Sequence, residues 1–362
     1  MRNVIIGSGV YGLSTAIELI IEGMDVIIID SNNKDIASRN ALGRIDPIFK
    51  GSGSYVATKD NNSAQRPKDQ RQFALKSFNL HIEYYEKYYK GTKHEYEFIN
   101  IPTLQVLNQN DLNEIKIEVD DIESIGFKLN ILETHEEIKE HVPMISKEIS
   151  KAAIMQTTKF IDSKSFIESL RNRFLDLGGK IITNKVEKID PESNNVVLSD
   201  NSKCSYGNLI ICAGPWTNEL LSSINLKVDM YPAKGEIIKI EKLNSKLNYH
   251  LHGECSIVER SDGLIWIAAT HNEYEFNSEK TKEAEIELMN KASFLIPEIS
   301  NSKKIEHTAC VRPSTKNGMP IVKELIDSSN IYVATGGGGW GIMQCFYIGK
   351  LIKELINEKS II

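Results

Sequence analysis

The first thirty residues constrain this chain more than any other stretch. An apolar run, Val4-Ile5-Ile6, enters Gly7-Ser8-Gly9-Val10-Tyr11-Gly12, and a second run, Val26-Ile27-Ile28-Ile29, closes on Asp30. Strand, glycine turn, helix from about Tyr11 to Glu22, and second strand ending in an acid is the order of a dinucleotide-binding unit. Gly7 permits the tight turn, Gly9 lets the backbone approach a pyrophosphate, and Gly12 lets the helix pack closely on the strand. The helix N-terminus, at Val10 and Tyr11, then points its amides at the phosphates. Asp30 suits a ribose diol, because a carboxylate accepts from both hydroxyls and would repel a 2'-phosphate. These residues imply an ADP-ribose-containing cofactor and leave NAD and FAD open.

A chain of 362 residues exceeds what one core usually covers, so two domains are expected. The formal charge of −6, without a basic block, argues against a nucleic-acid surface and for small-molecule chemistry. No signal segment precedes Val4 and no apolar run reaches the length of a membrane span, so a soluble, cytoplasmic protein is expected. The five cysteines are widely spread and include no CxxC pair, which points to reduced thiols and no metal site.

Along the chain, Ala37 to Gly53 is rich in glycine and polar residues, and Lys59 to Arg66 reads as a mobile surface loop. Periodicity predicts helices over Gln70–Tyr89, Asp111–Ile125, Phe166–Leu177 and Ile286–Phe294, and strands over Glu95–Leu107 and Lys180–Ile189. Asn208-Leu209-Ile210-Ile211 reads as a buried parallel strand, and several β-like runs follow between Val228 and Ala269. Near the end, Ile331–Thr335 is a strand that enters Gly336-Gly337-Gly338-Gly339-Trp340-Gly341, with a helix to about Asn357. The fold class expected is α/β: a Rossmann-type cofactor domain interleaved with an α+β substrate domain on a mostly antiparallel sheet. The expected division is 1–58, 145–225 and 305–362 for the first, and 59–144 and 226–304 for the second.

Four consecutive glycines cost chain entropy, so they imply positive φ or close approach to something large, for which a flavin ring is suited. A helix N-terminus there, over Gly337, Gly338, Gly339, Trp340, Gly341 and Ile342, would stabilise negative charge on a reduced ring. At this point the residues resemble the D-amino-acid oxidase superfamily of FAD enzymes, and within it most closely glycine oxidase. The resemblance covers nearly the whole chain. It rests on Gly7-x-Gly9-x-x-Gly12, on Ala37 to Ile45, on Cys212-Ala213-Gly214-Pro215-Trp216 and on Pro232-Ala233-Lys234-Gly235-Glu236. Its most specific part is Cys255–Val258, Asp262–Trp266 and Val311-Arg312-Pro313-Ser314-Thr315-Lys316-Asn317-Gly318-Met319-Pro320.

The resemblance implies FAD in place of NAD, expected to be noncovalent because the residues after Cys310 follow the glycine oxidase pattern, with a covalent bond to Cys310, which resembles by position the flavin-bonding cysteine of monomeric sarcosine oxidase, as the alternative. Ser38, Arg39, Asn40, Gly43, Arg44 and Ile45 match the loop that passes the diphosphate and ring, and Val186 matches the position whose backbone holds the adenine. Ala213, Gly214 and Trp216 match the segment beside the cofactor, although Trp216 reads equally well as core. Family chemistry moves a hydride from the amine-bearing carbon to flavin N5, water hydrolyses the imine, and O2 reoxidises the flavin to give H2O2.

Arg312 is the expected anchor for a substrate carboxylate, since a guanidinium binds one in bidentate fashion. Trp340, His252 and Ser256 are expected to wall the substrate site, with His271 a further candidate. Ser256 stands where glycine oxidase has an aromatic hydroxyl, which implies a substrate larger than glycine. The partners expected are a small amine or amino acid and O2, with a homo-oligomer left open. An FAD dehydrogenase of secondary amines or 2-hydroxy acids with another electron acceptor is the alternative on the same fold. An RNA-modifying oxidase and a noncatalytic flavin subunit fit less well, because of the acidic charge and Arg312 respectively.

Overall fold

The computed structural model describes residues 1–33, 36–47, 68–107, 129–326 and 329–360. Its first strand, Arg2–Ile6, lies in parallel between Asp25–Asp30 and Asn208–Ile211. Lys180–Thr183 and Ile331–Thr335 extend this sheet on either side, and antiparallel Ile321–Glu324 forms one edge of its six strands. Alternate residues explain why the apolar runs are continuous, since both faces of the sheet are covered. Ile5, Ile28 and Ile210 pack against the helices Val10–Ile21, Ser163–Asp176 and Gly341–Ser360. Val4, Ile29 and Leu209 pack against Val186, Val196 and Leu221 on the other face.

A second sheet of nine strands is mostly antiparallel. Its longest members, Tyr231–Ile240 and Lys304–Ser314, pair along nearly their whole lengths. Leu251, Ile257, Ile238 and Ile267 face a core that includes Leu288, Ala292 and Leu295 of the helix Lys282–Leu295. Their sequence neighbours His250, His252, Val258 and Ile237 therefore point to the opposite face, where Ile237 and Val258 pack with Phe160, Trp266 and Ala268. Ala152–Met155 also belongs to this sheet, so segments 145–225 and 305–362 each contribute strands to both halves of the molecule.

Some predicted elements are shorter or divided. The strand expected over Glu95–Leu107 is two, Ile99–Asn100 and Thr103–Val106, separated at Pro102, which has no N–H to donate. Lys180–Ile189 likewise breaks after Thr183: the Asn184 amide still donates to the Asp30 carbonyl, and Val186 opens an antiparallel meander with Asn195–Leu198. The helix over Gln70–Tyr89 is α-helical from Lys68 to Tyr84 and then widens to a π turn, which buries Tyr85 and Tyr89 against Tyr96. The helix expected at Asp111–Ile125 and the loop at Lys59–Arg66 lie outside the described residues. Among the described residues no helix is long and apolar enough to cross a membrane, and no group of His, Cys, Asp and Glu is placed to hold a metal ion.

Candidate active site

The glycine turn after the first strand is shaped by its neighbours. Gly7 has φ +102°, and a Cβ there would collide with the Cys212 carbonyl, while one at Gly12 would collide with the Gly7 carbonyl. Both glycines thus serve the close packing of turn, helix and adjoining strand. Gly9 differs, because a Cβ on it would meet only the Ser38 hydroxyl, at 3.5 Å, and its open side faces a cavity. The Asp30 carboxylate borders that cavity, accepting the Ser8 amide on one oxygen and the Asn32 amide on the other, each at 2.6 Å. Each oxygen keeps a second lone pair for a ligand hydroxyl.

The last helix brings the second glycine loop to the first. Tyr11 donates its hydroxyl to Gln344 Oε1 at 2.6 Å, and Ser14 donates to the Cys345 carbonyl at 2.6 Å. Gly349 lets the helix backbones approach, since a Cβ there would lie 2.9 Å from the Ser14 carbonyl oxygen. Within the loop, Gly336 and Gly338 have positive φ, and Gly337 gives its side-chain space to the Tyr11 ring, so three of the four glycines have a steric reason. The loop ends at the N-terminus of the Gly341–Ser360 helix, beside the same cavity.

That cavity, about 470 Å³, runs from the fingerprint to the second sheet. Of the predicted cofactor residues, Gly7, Gly9, Val10, Tyr11 and Asp30 line it. So do Ser38, Asn40, Gly43, Arg44 and Val186, then Ala213, Gly214 and Trp216, and then Gly337 through Ile342. Gly12, Arg39 and Ile45 do not. Arg39 instead offers its carbonyl to the Ser163 hydroxyl, and Ile45 is fully buried in a short strand beside Lys159. Trp216 is no core residue: it lines the cavity and meets Phe276 edge-on at 6.0 Å.

His252, Ser256, Arg312 and Trp340 also line this cavity. His252 Nδ1 lies 2.8 Å from Ser256 Oγ. Arg312 is half-buried, and among the described residues no carboxylate lies within ion-pair distance of its guanidinium. Its Nη1 donates to the Thr270 carbonyl at 3.3 Å and lies 3.4 Å from His271 Nδ1. Gly235 makes room for it, because a Cβ there would fall 2.7 Å from Nη1 and closer still to Cζ and Nη2. His271 stands behind Arg312 and does not line the cavity.

Sequence reading missed a buried polar chain along one wall. Arg44 pairs with Asp46 at 3.0 Å, both nearly inaccessible, and Thr158 donates to Asp46 Oδ2 at 2.6 Å. With its proton spent there, Thr158 accepts from Thr103 at 2.8 Å, and Thr103 in turn accepts from His250 Nδ1 at 2.9 Å. The proton of His250 is therefore fixed on Nδ1. Burial, and then the electrostatic influence of Arg44, His252 and Arg260, hold the His250 pKa well below the ordinary histidine value. His250 stacks on His252, with ring centroids 5.4 Å apart, and so backs a residue of the cavity wall. No sequence signal links these groups: the successive contacts from Asp46 to Thr158, Thr103 and His250 join residues 112, 55 and 147 positions apart.

A glycine turn at a helix N-terminus, an acid at the end of the second strand and a second sheet over one chamber define an α/β protein of the dinucleotide-binding class, with one cavity running between its two sheets. Residues 2–355 match the family model of FAD dependent oxidoreductases, and the chain belongs to that family; it is an oxidoreductase with FAD as its cofactor. It is similar to glycine oxidase of Bacillus subtilis (strain 168), 22% identical over 371 aligned positions that cover 99% of this chain and 93% of the relative. Among solved structures, glycine oxidase from Geobacillus kaustophilus superposes with a TM-score of 0.84 at 20% identity, covering 99% of this chain and 95% of that one. L-proline dehydrogenase from P. horikoshii does so with 0.83 at 19% identity, covering 99% and 93%. The cavity fits the cofactor on its own terms, with Gly9 open toward it and the Asp30 carboxylate at its edge.

Proposed function

We propose that this enzyme oxidises an amino acid or related amine bearing a carboxylate, glycine oxidase-like but with a substrate larger than glycine, and with oxygen as electron acceptor. The segments of the parallel sheet hold FAD, and the antiparallel sheet supplies the substrate side. Cofactor contacts fall to the Gly7–Tyr11 turn, Asp30, the Ser38–Arg44 loop, Val186, Ala213–Trp216 and Gly337–Ile342. Bound FAD supplies a two-electron acceptor for the substrate's hydride, with peroxide formed on return of the electrons to oxygen.

The observation that carries this reading is Arg312, a cavity-lining guanidinium with no carboxylate partner among the described residues. A half-buried cation facing the cofactor chamber is best satisfied by an anionic ligand group, and a bidentate pair fixes both distance and plane. Holding the carboxylate there presents the neighbouring carbon in one orientation, which is an entropic contribution to rate. His252, paired with Ser256, and Trp340 shape the rest of the pocket, and the small Ser256 side chain leaves room for a substituent. Two glycine oxidases and an L-proline dehydrogenase among the relatives named above support an amine that carries a carboxylate.

The test is anaerobic bleaching of the flavin by matched compounds: amino acids, N-methyl amino acids, the same amines without the carboxylate, and 2-hydroxy acids. Bleaching confined to carboxylate-bearing amines, followed by peroxide release in air, is the expected result. Bleaching by hydroxy acids alone, or by amines irrespective of the carboxylate, overturns the substrate class. Slow reoxidation in air with fast dye reduction overturns oxygen as the acceptor.

A further inference from the structure

We propose that His271 is a positioning residue for the substrate carboxylate, acting through Arg312: it holds Nη1 from behind so that Nη2 and Nε are the donors left for the ligand. The proposal rests on the reading of Arg312 as the anchor. Arginine has five N–H donors and no acceptor, two of them on Nη1. One Nη1 proton is directed at the Thr270 carbonyl, 3.3 Å away, and His271 Nδ1 lies 3.4 Å from the same nitrogen. Because arginine can only donate, Nδ1 must be the unprotonated nitrogen of His271, and the ring proton sits on Nε2. That nitrogen is 3.9 Å from Glu273 Oε1, which also accepts the Tyr231 hydroxyl at 3.1 Å.

Carboxylate, imidazole and guanidinium thus follow one another, Glu273, His271 and Arg312, with His271 within hydrogen-bond distance of Arg312 and Glu273 nearby at 3.9 Å. Burial, and then the charge of Arg312, lower the His271 pKa to about 4, so the ring stays neutral and able to accept at ordinary pH. On the other side Gly235 offers a bare backbone against which the guanidinium lies. With Nη1 engaged on both protons, a carboxylate is left the edge formed by Nη2 and Nε, where two parallel hydrogen bonds fit its oxygens. His271 itself does not line the cavity, so it acts only by fixing which edge is presented.

The experiment uses the FAD-loaded enzyme and reads binding of acetate, with acetamide as the uncharged control, from the perturbation of flavin absorbance. His271→Leu removes the acceptor, whereas His271→Asn places a carbonyl oxygen near the position of Nδ1. We expect His271→Leu to raise the acetate Kd about tenfold, and His271→Asn to stay within about threefold of wild type. Acetamide binding is expected to be the same in all variants. In an Arg312→Ala background, His271→Leu should change nothing further, because two residues acting through one group are not additive. His271→Ala repeats the removal with less bulk if the leucine variant does not hold FAD. Arg312→Ala weakening acetate while His271→Leu and His271→Ala do not would overturn the proposal, as would equal effects in both backgrounds. Acetate binding unchanged in Arg312→Ala would instead overturn the anchor itself.

Discussion

Gly235 gives the sharpest perturbation of the anchor that leaves Arg312 in place. A methyl group at this position would stand 2.7 Å from Nη1 and closer to Cζ and Nη2, so the guanidinium must retreat by about 1 Å or more to regain ordinary contact distance. The colliding group is the end of a flexible side chain, and Gly235 does not have a positive φ, so the strand itself tolerates the change. The carboxylate pair does not, because charge-assisted bonds need about 2.8 Å and aligned planes. A misplacement of about 1 Å costs on the order of a hundredfold in rate, or about 2.7 kcal/mol of transition-state stabilisation. Gly235→Ala should therefore lose about two decades of kcat/KM for the best carboxylate-bearing substrate, with FAD content and melting temperature close to wild type. Steady-state kinetics in air and flavin absorbance measure both. Activity within about threefold of wild type would refute the placement of Arg312 against Gly235 in the working enzyme.

Three further outcomes follow from the same geometry. Gly9→Val should fold but lose FAD, because a Cβ at Gly9 meets, apart from its chain neighbours, only the Ser38 hydroxyl at 3.5 Å among the described residues; full flavin occupancy would contradict the phosphate assignment. Cys310 lines the cavity, but the flavin is expected to be noncovalent, so acid precipitation should leave a yellow supernatant and a colourless pellet. Stability should fall as pH drops below about 6.5, the ordinary unfolded histidine value, because burial lowers His81 to about 3 and His271 to about 4. The folded state then binds fewer protons than the unfolded one, so acid favours unfolding until the folded values are reached. His81→Phe should flatten the decline in melting temperature between pH 7 and 5, and an identical slope would count against it.

How much was legible depends on whether the cause was local. The Val4–Asp30 unit was, because a buried parallel strand, a glycine turn and an amphipathic helix each leave their own pattern in adjacent residues. Arg312 and the glycine loop were legible through the motif that surrounds them. The role of Gly235 was not, since it follows from the diagonal approach of Arg312 across the pairing of Tyr231–Ile240 with Lys304–Ser314. The Asp46, Thr158, Thr103 and His250 chain was equally hidden: each is an ordinary polar residue until sheet pairing removes water and leaves them only one another. Ile45 shows the converse error, since a cavity loop must turn and this residue of it faces the core; Arg39 also lies off the cavity, its backbone carbonyl accepting from Ser163. His271, one candidate for the pocket wall, sits one layer out, where the strand end points it at the anchor.

The most direct measurement of substrate recognition is kcat/KM of Arg312→Ala and Arg312→Lys, with flavin occupancy and melting temperature as controls. A carboxylate anchor predicts a loss of roughly two or more decades in the alanine variant with FAD fully bound, and only partial recovery with lysine, whose ammonium lacks the planar fork. Activity of Arg312→Ala within about threefold of wild type, FAD still in place, would contradict it.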